Sequence, residues 1–213
     1  MNKKGINCGM KSVGYFCFFV LIFLFGCSES KPGSNRNSPE QQNIKSAGII
    51  YPKVKIETGY GNMIMELRPD VAPKHVDNFL KLVKSNFYDG TTFHRVIPNF
   101  MIQGGDPNSK SDNRLTHGTG GPGYTIPAEI KLKNLRGSVA AARLGDEVNP
   151  NRNSSGSQFY INILNNLFLD EQYTVFGEII VGMDVADKIA LVQRDDRDNP
   201  IERIPMKISI WEK

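Results

Sequence analysis

Between Phe93 and Asp106 the chain reads Phe-His-Arg-Val-Ile-Pro-Asn-Phe-Met-Ile-Gln-Gly-Gly-Asp, which sets one permanent cation, Arg95, among apolar and amide side chains. Two short strands, Phe93 to Ile97 and Phe100 to Gln103, hinged at Pro98-Asn99, fit this run. A period of two then sends Arg95 and Ile97 to one face of the first strand, and Met101 and Gln103 to one face of the second. A guanidinium, a thioether and an amide meeting on one surface would grip a small apolar group and aim hydrogen-bond donors at it. An arginine stays protonated at any working pH, so the chemistry on offer is charge stabilisation rather than proton transfer. By itself the run reads first as a solvated or salt-bridged strand face, since charged side chains generally stay wet.

A second segment repeats the combination of amide, aromatics and glycine: Gly156-Ser157-Gln158-Phe159-Tyr160-Ile161, followed by Leu167-Phe168-Leu169-Asp170 and Val175-Phe176-Gly177. Together the two segments resemble the cyclophilin family of peptidyl-prolyl isomerases, and the resemblance runs from about Val54 to the C-terminus. It implies that Arg95 stands in the place of the catalytic arginine and that Phe100, Met101 and Gln103 line a proline pocket. Gln158, Tyr160, Phe168, Leu169 and Tyr173 fall where the family builds the rest of the cleft. Ala142 and Arg143, in Ser138-Val139-Ala140-Ala141-Ala142-Arg143, match the strand along which a substrate backbone is held.

The chain departs from the family pattern at a few places. Tyr160 stands where many members have phenylalanine, which keeps the ring and adds a hydroxyl that needs a partner. Phe168 replaces the tryptophan of many eukaryotic members and Tyr173 a histidine, so tight cyclosporin binding, which uses the tryptophan's N–H, is not expected. The Leu144 to Ser154 loop is longer at its start than the usual version.

The resemblance implies isomerisation of X-Pro peptide bonds in proline-containing segments, with no cofactor and no metal. The residues alone leave a second reading open, a module that binds proline segments as a chaperone or surface adhesin without turning them over. Retention of Arg95, Phe100, Met101 and Gln103 favours catalysis, because binding alone has no use for a donor at the prolyl nitrogen. His94 and His117 lie apart in sequence, and no His, Cys or Asp cluster has ligand spacing. Gly118-Thr119-Gly120-Gly121-Pro122-Gly123 lacks the Lys-Ser or Lys-Thr of a phosphate loop and reads as a tight turn beside the cleft.

The N-terminus is a different kind of sequence. Lys3, Lys4 and Lys11 precede an apolar run from Val13 to Phe25, too short to span a bilayer and suited to the core of a signal peptide. Its end, Leu24-Phe25-Gly26-Cys27, resembles the lipobox of bacterial lipoproteins, which implies a signal peptide over 1–26 and lipidation of Cys27. Residues 27–47 are rich in Ser, Asn, Gln and Pro and read as a flexible linker. The expected setting is the bacterial cell envelope, with the domain membrane-anchored and extracytoplasmic, and the outer membrane preferred because Ser28 gives no retention signal. Cys8 and Cys17 would leave with the leader. So would three of the 26 cations; the remaining 23 stand against 22 acids. That near-neutral balance does not support a nucleic-acid partner, and the chain is expected to be a monomer.

The elements that position the site follow from pattern. Val54 to Thr58 alternates, Gly59-Tyr60-Gly61 turns, and Met63 to Leu67 returns as a hairpin. Pro73 opens a helix whose buried face reads Val76, Phe79, Leu80 and Val83 and which ends near Ser85-Asn86. A second helix carries Val185, Ile189 and Val192, and Met206 to Trp211 is the last strand. Short strands with Gly- and Pro-rich loops point to a mainly β domain over 48–213, a closed antiparallel barrel with two capping helices. The resemblance makes it eight strands. Phe159 and Phe176 belong to its interior, which side chains fill, so the cleft must lie on the outer face.

Overall fold

The computed structural model describes residues 51–212. The signal peptide, Cys27 and the linker expected over 27–47 lie outside them. Within the described chain, Val54 and Ile56 alternate with Lys55 and Glu57 along β1 (Lys53–Thr58), which turns into β2 (Gly61–Leu67) in antiparallel register. The helix α1 (Pro73–Lys84) follows, then β3 (Arg95–Ile97) and β4 (Met101–Gly104). After long loops come β5 (Ser138–Ala141), β6 (Phe159–Asn162), β7 (Val175–Val181), the helix α2 (Met183–Ala190) and β8 (Met206–Ile210).

The eight strands form one antiparallel sheet in the order β3-β4-β6-β5-β7-β2-β1-β8. It curls around its core but does not close, which corrects the expectation of a closed barrel. Among the described residues the two edges meet at an isolated bridge between Thr92 and Pro205. Phe93 N–H donates to the Ile204 carbonyl at 3.1 Å and Met206 N–H to that of Thr91 at 2.8 Å. A continuous ladder is blocked there because Pro205 has no N–H, and the Thr92 N–H is turned away to Ser109 Oγ at 2.9 Å.

Both helices cover the inner face of the sheet, α1 against β7 and β8 and α2 against β2, β3 and β4. On α1 the buried stripe is Val76, Phe79, Leu82 and Val83, with His75 beside it, while Leu80, expected in the stripe, is only half-buried at its margin. Lys81 and Lys84 in the last turn sit favourably against the helix dipole. Helix α2 is entered through Gly182 at φ 90°, where a side chain would bring Cβ within 2.4 Å of the Asn62 carbonyl oxygen, so only glycine fits. Val192 lies just past the end of α2, yet still packs on the core.

Alternation divides the strands between two apolar clusters. Inward-facing Ile102, Val139, Phe159 and Ile161 join Phe79, Tyr88, Phe93 and Phe176 in the main core. Rings there meet at angles typical of aromatic packing, with Phe79 and Phe159 edge to face at 5.8 Å. The outward set, Met101, Ala140, Tyr160 and Val175, makes a second cluster with Ile97, Phe100, Leu132, Leu169 and Tyr173. A sheet face that is apolar on the outside is where a ligand can sit.

Candidate functional site

Strand register builds the site. Arg95 lies opposite Gln103, Gln103 opposite Tyr160, and Tyr160 opposite Ala140, so one cross-strand row runs from the β3 edge toward the middle of the sheet. A second row places Ile97 opposite Met101 and Met101 opposite Asn162. Residues two apart on a strand share a face, which brings Arg95, Met101 and Gln103 together as the alternation predicts, with Tyr160, expected there from the family resemblance, beside them. Both strands are shorter at their starts than expected, because Phe93 and His94 belong to the connection and Phe100 to the turn.

Nine side chains enclose a shallow hollow of about 110 Å³ on this face: Arg95, Phe100, Met101, Gln103, Ala142, Arg143, Tyr160, Leu169 and Tyr173. That volume is well below the roughly 300–1,000 Å³ of small-molecule pockets and suits a single side chain. All nine were candidates from sequence. The other two candidates lie differently. Gln158 backs the hollow instead of lining it, accepting from Gln103 Nε2 at 3.0 Å while its own Nε2 donates to the Gly118 and Gly120 carbonyls at 3.0 and 2.8 Å. The turn read from Gly118 to Gly123 is thereby tied to the site. Phe168 stands on the rim, 66 % exposed, with its ring stacked on Phe100 at 5.7 Å.

The two arginines of the hollow differ in how far they are committed. Arg143 is spent on the protein: Nε donates to the Gln172 carbonyl at 2.8 Å, Nη1 donates to the Leu144 carbonyl at 2.9 Å and pairs with Asp146, and the guanidinium lies 4.7 Å over the Tyr173 ring. Its side chain is a wall. Arg95 has a 44 % exposed side chain and one charged neighbour among the described residues, Asp198, at 3.7 Å from Nε. No hydrogen bond to the protein holds its guanidinium among those residues, so its donors are available to a ligand.

The main chain at the same place shows a similar division. Ala142 N–H donates to the Gln158 carbonyl and its own carbonyl accepts from Ser155 N–H, both at 2.9 Å. Both of its backbone groups are satisfied, so it lines the hollow without a main-chain group to offer. The N–H and carbonyl of Arg143 have no protein partner among the described residues, and of the two positions matched to the substrate-holding strand only this one is open.

Behind the hollow lies a polar network that the sequence did not disclose. The Tyr160 hydroxyl donates to Asn134 Oδ1 at 2.9 Å, and Asn162 Nδ2 reaches the same oxygen at 3.3 Å and Ser138 Oγ at 2.9 Å. Asn166 Nδ2 donates to Asn162 Oδ1 at 2.6 Å and to the Phe100 carbonyl at 2.9 Å. Burial pushes the Tyr160 phenol up, so its hydroxyl keeps its proton and serves as donor. Asn134 is fully buried and lies in a loop with no periodicity, so no sequence signal pointed to it.

A second unforeseen group joins His75, Glu129 and Ser154. His75 Nδ1 lies 2.7 Å from Glu129 Oε2 and its Nε2 lies 2.8 Å from Ser154 Oγ. The order of groups is that of a nucleophilic triad, but Ser154 is 2 % exposed and its hydroxyl cannot meet a substrate. These contacts pin the start of α1 to the loop that leads into β6, as does Asn78 Nδ2 donating to the Gly156 carbonyl at 2.7 Å. His117 is likewise structural, bonded through its two ring nitrogens to the Ser111 carbonyl and the Asn199 amide at 2.9 Å each. Among the described residues no three His, Cys, Asp or Glu side chains gather as a metal site.

Comparison with known proteins agrees with this geometry. Residues 53–210 match the family model described as cyclophilin type peptidyl-prolyl cis-trans isomerase/CLD. Peptidyl-prolyl cis-trans isomerase A of Dickeya dadantii is 40 % identical over 166 residues, 76 % of this chain and 82 % of that protein. A peptidyl-prolyl cis-trans isomerase of Acinetobacter baylyi is 46 % identical over 154 residues, 70 % of this chain and 77 % of that one. Among solved structures, a Cryptosporidium parvum cyclophilin type peptidyl-prolyl cis-trans isomerase superposes with a TM-score of 0.69 at 33 % identity, covering 77 % of this chain and 99 % of its own. The same enzyme in the presence of the dipeptide Ala-Pro gives a TM-score of 0.67 at 33 % identity, covering 76 % and 99 %.

Proposed function

Since the chain belongs to the cyclophilin-type peptidyl-prolyl cis-trans isomerases, we propose that Arg95 lowers the barrier of its reaction and that the hollow beside it seats the proline ring. The observation that carries this reading is the contrast within the hollow: Arg143 is held by protein groups at Nε and Nη1 and stacked on Tyr173, whereas the Arg95 guanidinium makes no hydrogen bond among the described residues.

The reaction is rotation about an X-Pro amide, which faces a barrier of roughly 18–20 kcal/mol because the nitrogen lone pair is delocalised into the carbonyl. In the twisted transition state that lone pair returns to the nitrogen. A guanidinium aimed at the prolyl nitrogen meets an acceptor that neither planar ground state offers, and such differential binding is what accelerates a reaction. Phe100, Met101, Tyr160 and Leu169 hold the ring and exclude water, which strengthens the charge–dipole attraction. Gln103, fixed through Gln158, presents an amide to the turning carbonyl, and the open N–H and carbonyl of Arg143 hold the peptide backbone. Each factor of ten in rate needs only about 1.4 kcal/mol, so a few oriented donors suffice.

The test is a titration with a short Ala-Pro peptide followed by NMR. Shifts should gather at Phe100, Met101, Gln103, Arg143, Tyr160 and Leu169, with line shapes reporting exchange between the isomers. Shifts confined to another face would overturn the assignment of the hollow.

For the cell, we infer a lipid-anchored enzyme of the bacterial envelope, acting as a monomer on extracytoplasmic proteins whose folding waits on X-Pro bonds. The support is the sequence of the leader, with Cys27 at the exit of its apolar run and a polar linker after it. Several acyl chains would anchor stably where one is marginal. Full-length protein in a bacterial host should take up labelled fatty acid and Cys27→Ser should not; equal labelling of both removes Cys27 as the site.

A further inference from the structure

Beside the hollow the chain makes a tight turn, Arg194 to Pro200, that is held far more firmly than its exposure suggests. Arg194 and Pro200 form an isolated bridge. Arg114 reaches across to donate from Nη1 to the Pro200 carbonyl at 2.9 Å, and from Nη2 to the Asn199 carbonyl at 2.9 Å and the Asp195 carboxylate at 2.8 Å. Asp195 Oδ1 in turn accepts from the Arg197 and Asn199 N–H groups at 2.9 and 3.0 Å. At the apex Asp198 takes the left-handed conformation, φ 63°, which Asp and Asn tolerate better than other side chains. Its carbonyl accepts from Val96 N–H at 2.8 Å, so the turn is stitched to β3 one residue from Arg95.

This framework leaves the Asp198 carboxylate between two guanidiniums. Oδ1 lies 3.2 Å from Arg194 Nε and Oδ2 lies 3.7 Å from Arg95 Nε. A carboxylate on the Nε side of a planar guanidinium attracts the edge that Nε shares with Nη2, as Asp70 does on Arg68, and leaves the opposite edge, with Nη1, facing away. Arg95 is otherwise without charged partners among the described residues. A long side chain with 44 % exposure would sample many rotamers, and donors must be held close to the productive geometry to act. At 3.7 Å the contact is electrostatic, strong enough to bias the side chain and weak enough to leave its donors for the substrate.

We propose that Asp198 is a positioning residue for the isomerase reaction: fixed by the Arg114-pinned turn, its carboxylate holds the Nε edge of Arg95 and leaves the opposite, Nη1 edge to face the proline hollow. The inference rests on the assignment of Arg95 as the catalytic donor. It gives the Arg194–Pro200 turn a function, and it identifies an acid that contributes to rate without touching substrate.

The test compares wild type, Asp198→Asn, Asp196→Asn and Arg95→Ala in the full chain. Asparagine tolerates the left-handed apex and removes only the charge. Asp196, exposed and with no ion pair among the described residues, controls for loss of a charge from the same turn. With a proline peptide, Asp198→Asn should lower kcat about threefold to tenfold while KM stays within about twofold, the pattern of a lost transition-state interaction. The Arg95 side chain should become more mobile in 15Nε relaxation, with Asp196→Asn like wild type in both. If Asp198→Asn turns over as fast as wild type, or faster, or if Arg95 mobility is unchanged, the positioning role is overturned. If Arg95→Ala itself turns over at the wild-type rate, the catalytic assignment fails first and on separate grounds.

Discussion

Gln103 on β4 donates to the side chain of Gln158, the last residue before β6, and Gln158 passes the contact on to two carbonyls of the Gly118–Gly120 turn. The amide facing the hollow is thus oriented by an amide outside it. Gln158 is 6 % exposed, and truncating it removes three hydrogen bonds, each worth about 1 kcal/mol net. Gln158→Ala should therefore destabilise the protein by about 1–3 kcal/mol. It should also lower kcat severalfold and speed amide exchange across the turn. Unaltered exchange at Gly118 and Gly120 would show that the turn stands without Gln158.

Tyr160 and Asn134 offer a graded pair. Tyr160→Phe removes the donor to Asn134 Oδ1, which keeps Asn162 Nδ2 as a partner, so a loss of about 1 kcal/mol or less and near-normal turnover are expected. Asn134→Ala instead strands the buried Tyr160 hydroxyl, and an orphaned polar group costs about 1–3 kcal/mol. Denaturant melts of both variants check the order; Tyr160→Phe as the more damaging change would contradict it.

The pH dependence of stability should carry the mark of His94. The ring is buried, and burial is the main reason its pKa falls to about 4, against the pull of the Asp106 carboxylate. Burial likewise lowers His75, outweighing its Glu129 partner. Between the unfolded pKa of roughly 6.5 and the folded one, the unfolded chain binds more protons than the native protein. Stability therefore falls as pH drops from about 6.5 to about 4, by on the order of 2–3 kcal/mol for His94. His94→Phe should flatten that window in urea melts at successive pH values, and an unchanged slope would mean that another group carries it.

The two arginines of the hollow should separate kinetically. Arg143 forms a wall of the hollow, and on the proposed reading it contributes to holding the peptide, so Arg143→Ala should act mostly on KM, raising it about threefold or more with a smaller change in kcat. A selective loss of kcat in this variant would mean that Arg143 supplies transition-state charge.

Much of the site was legible because it lies on strands. A period of two needs only local sequence, and it placed Arg95 with Met101 and Gln103 as the register places them; Tyr160 came from the family resemblance. The hairpin of β1 and β2 and both helices were readable for the same reason. Features that depend on contacts between distant loops were not. Barrel closure turns on where the Thr92 N–H goes and on Pro205 falling opposite it, neither of which is a pattern within one strand. Leu82 takes the place foreseen for Leu80 because the tilt of α1 on the sheet is decided by its partners. Asn134 lies 26 residues from Tyr160, His75 lies 54 from Glu129 and 79 from Ser154, and Asp198 reaches Arg95 from near the other end of the domain; no spacing rule reaches that far. Phe168 was placed in the cleft by resemblance, and its open position on the rim follows from the short 3-10 turn Leu167–Leu169, which points Leu169 inward and leaves Phe168 outside.

The claim that the donors of Arg95 act on the twisted amide is tested most directly by cis–trans exchange of a proline peptide, followed by magnetisation-transfer NMR with wild type and Arg95→Ala. The account predicts exchange at least about tenfold slower with Arg95→Ala, equivalent to about 1.4 kcal/mol of lost transition-state stabilisation, with peptide affinity changed less. Equal exchange rates for the two proteins would contradict it.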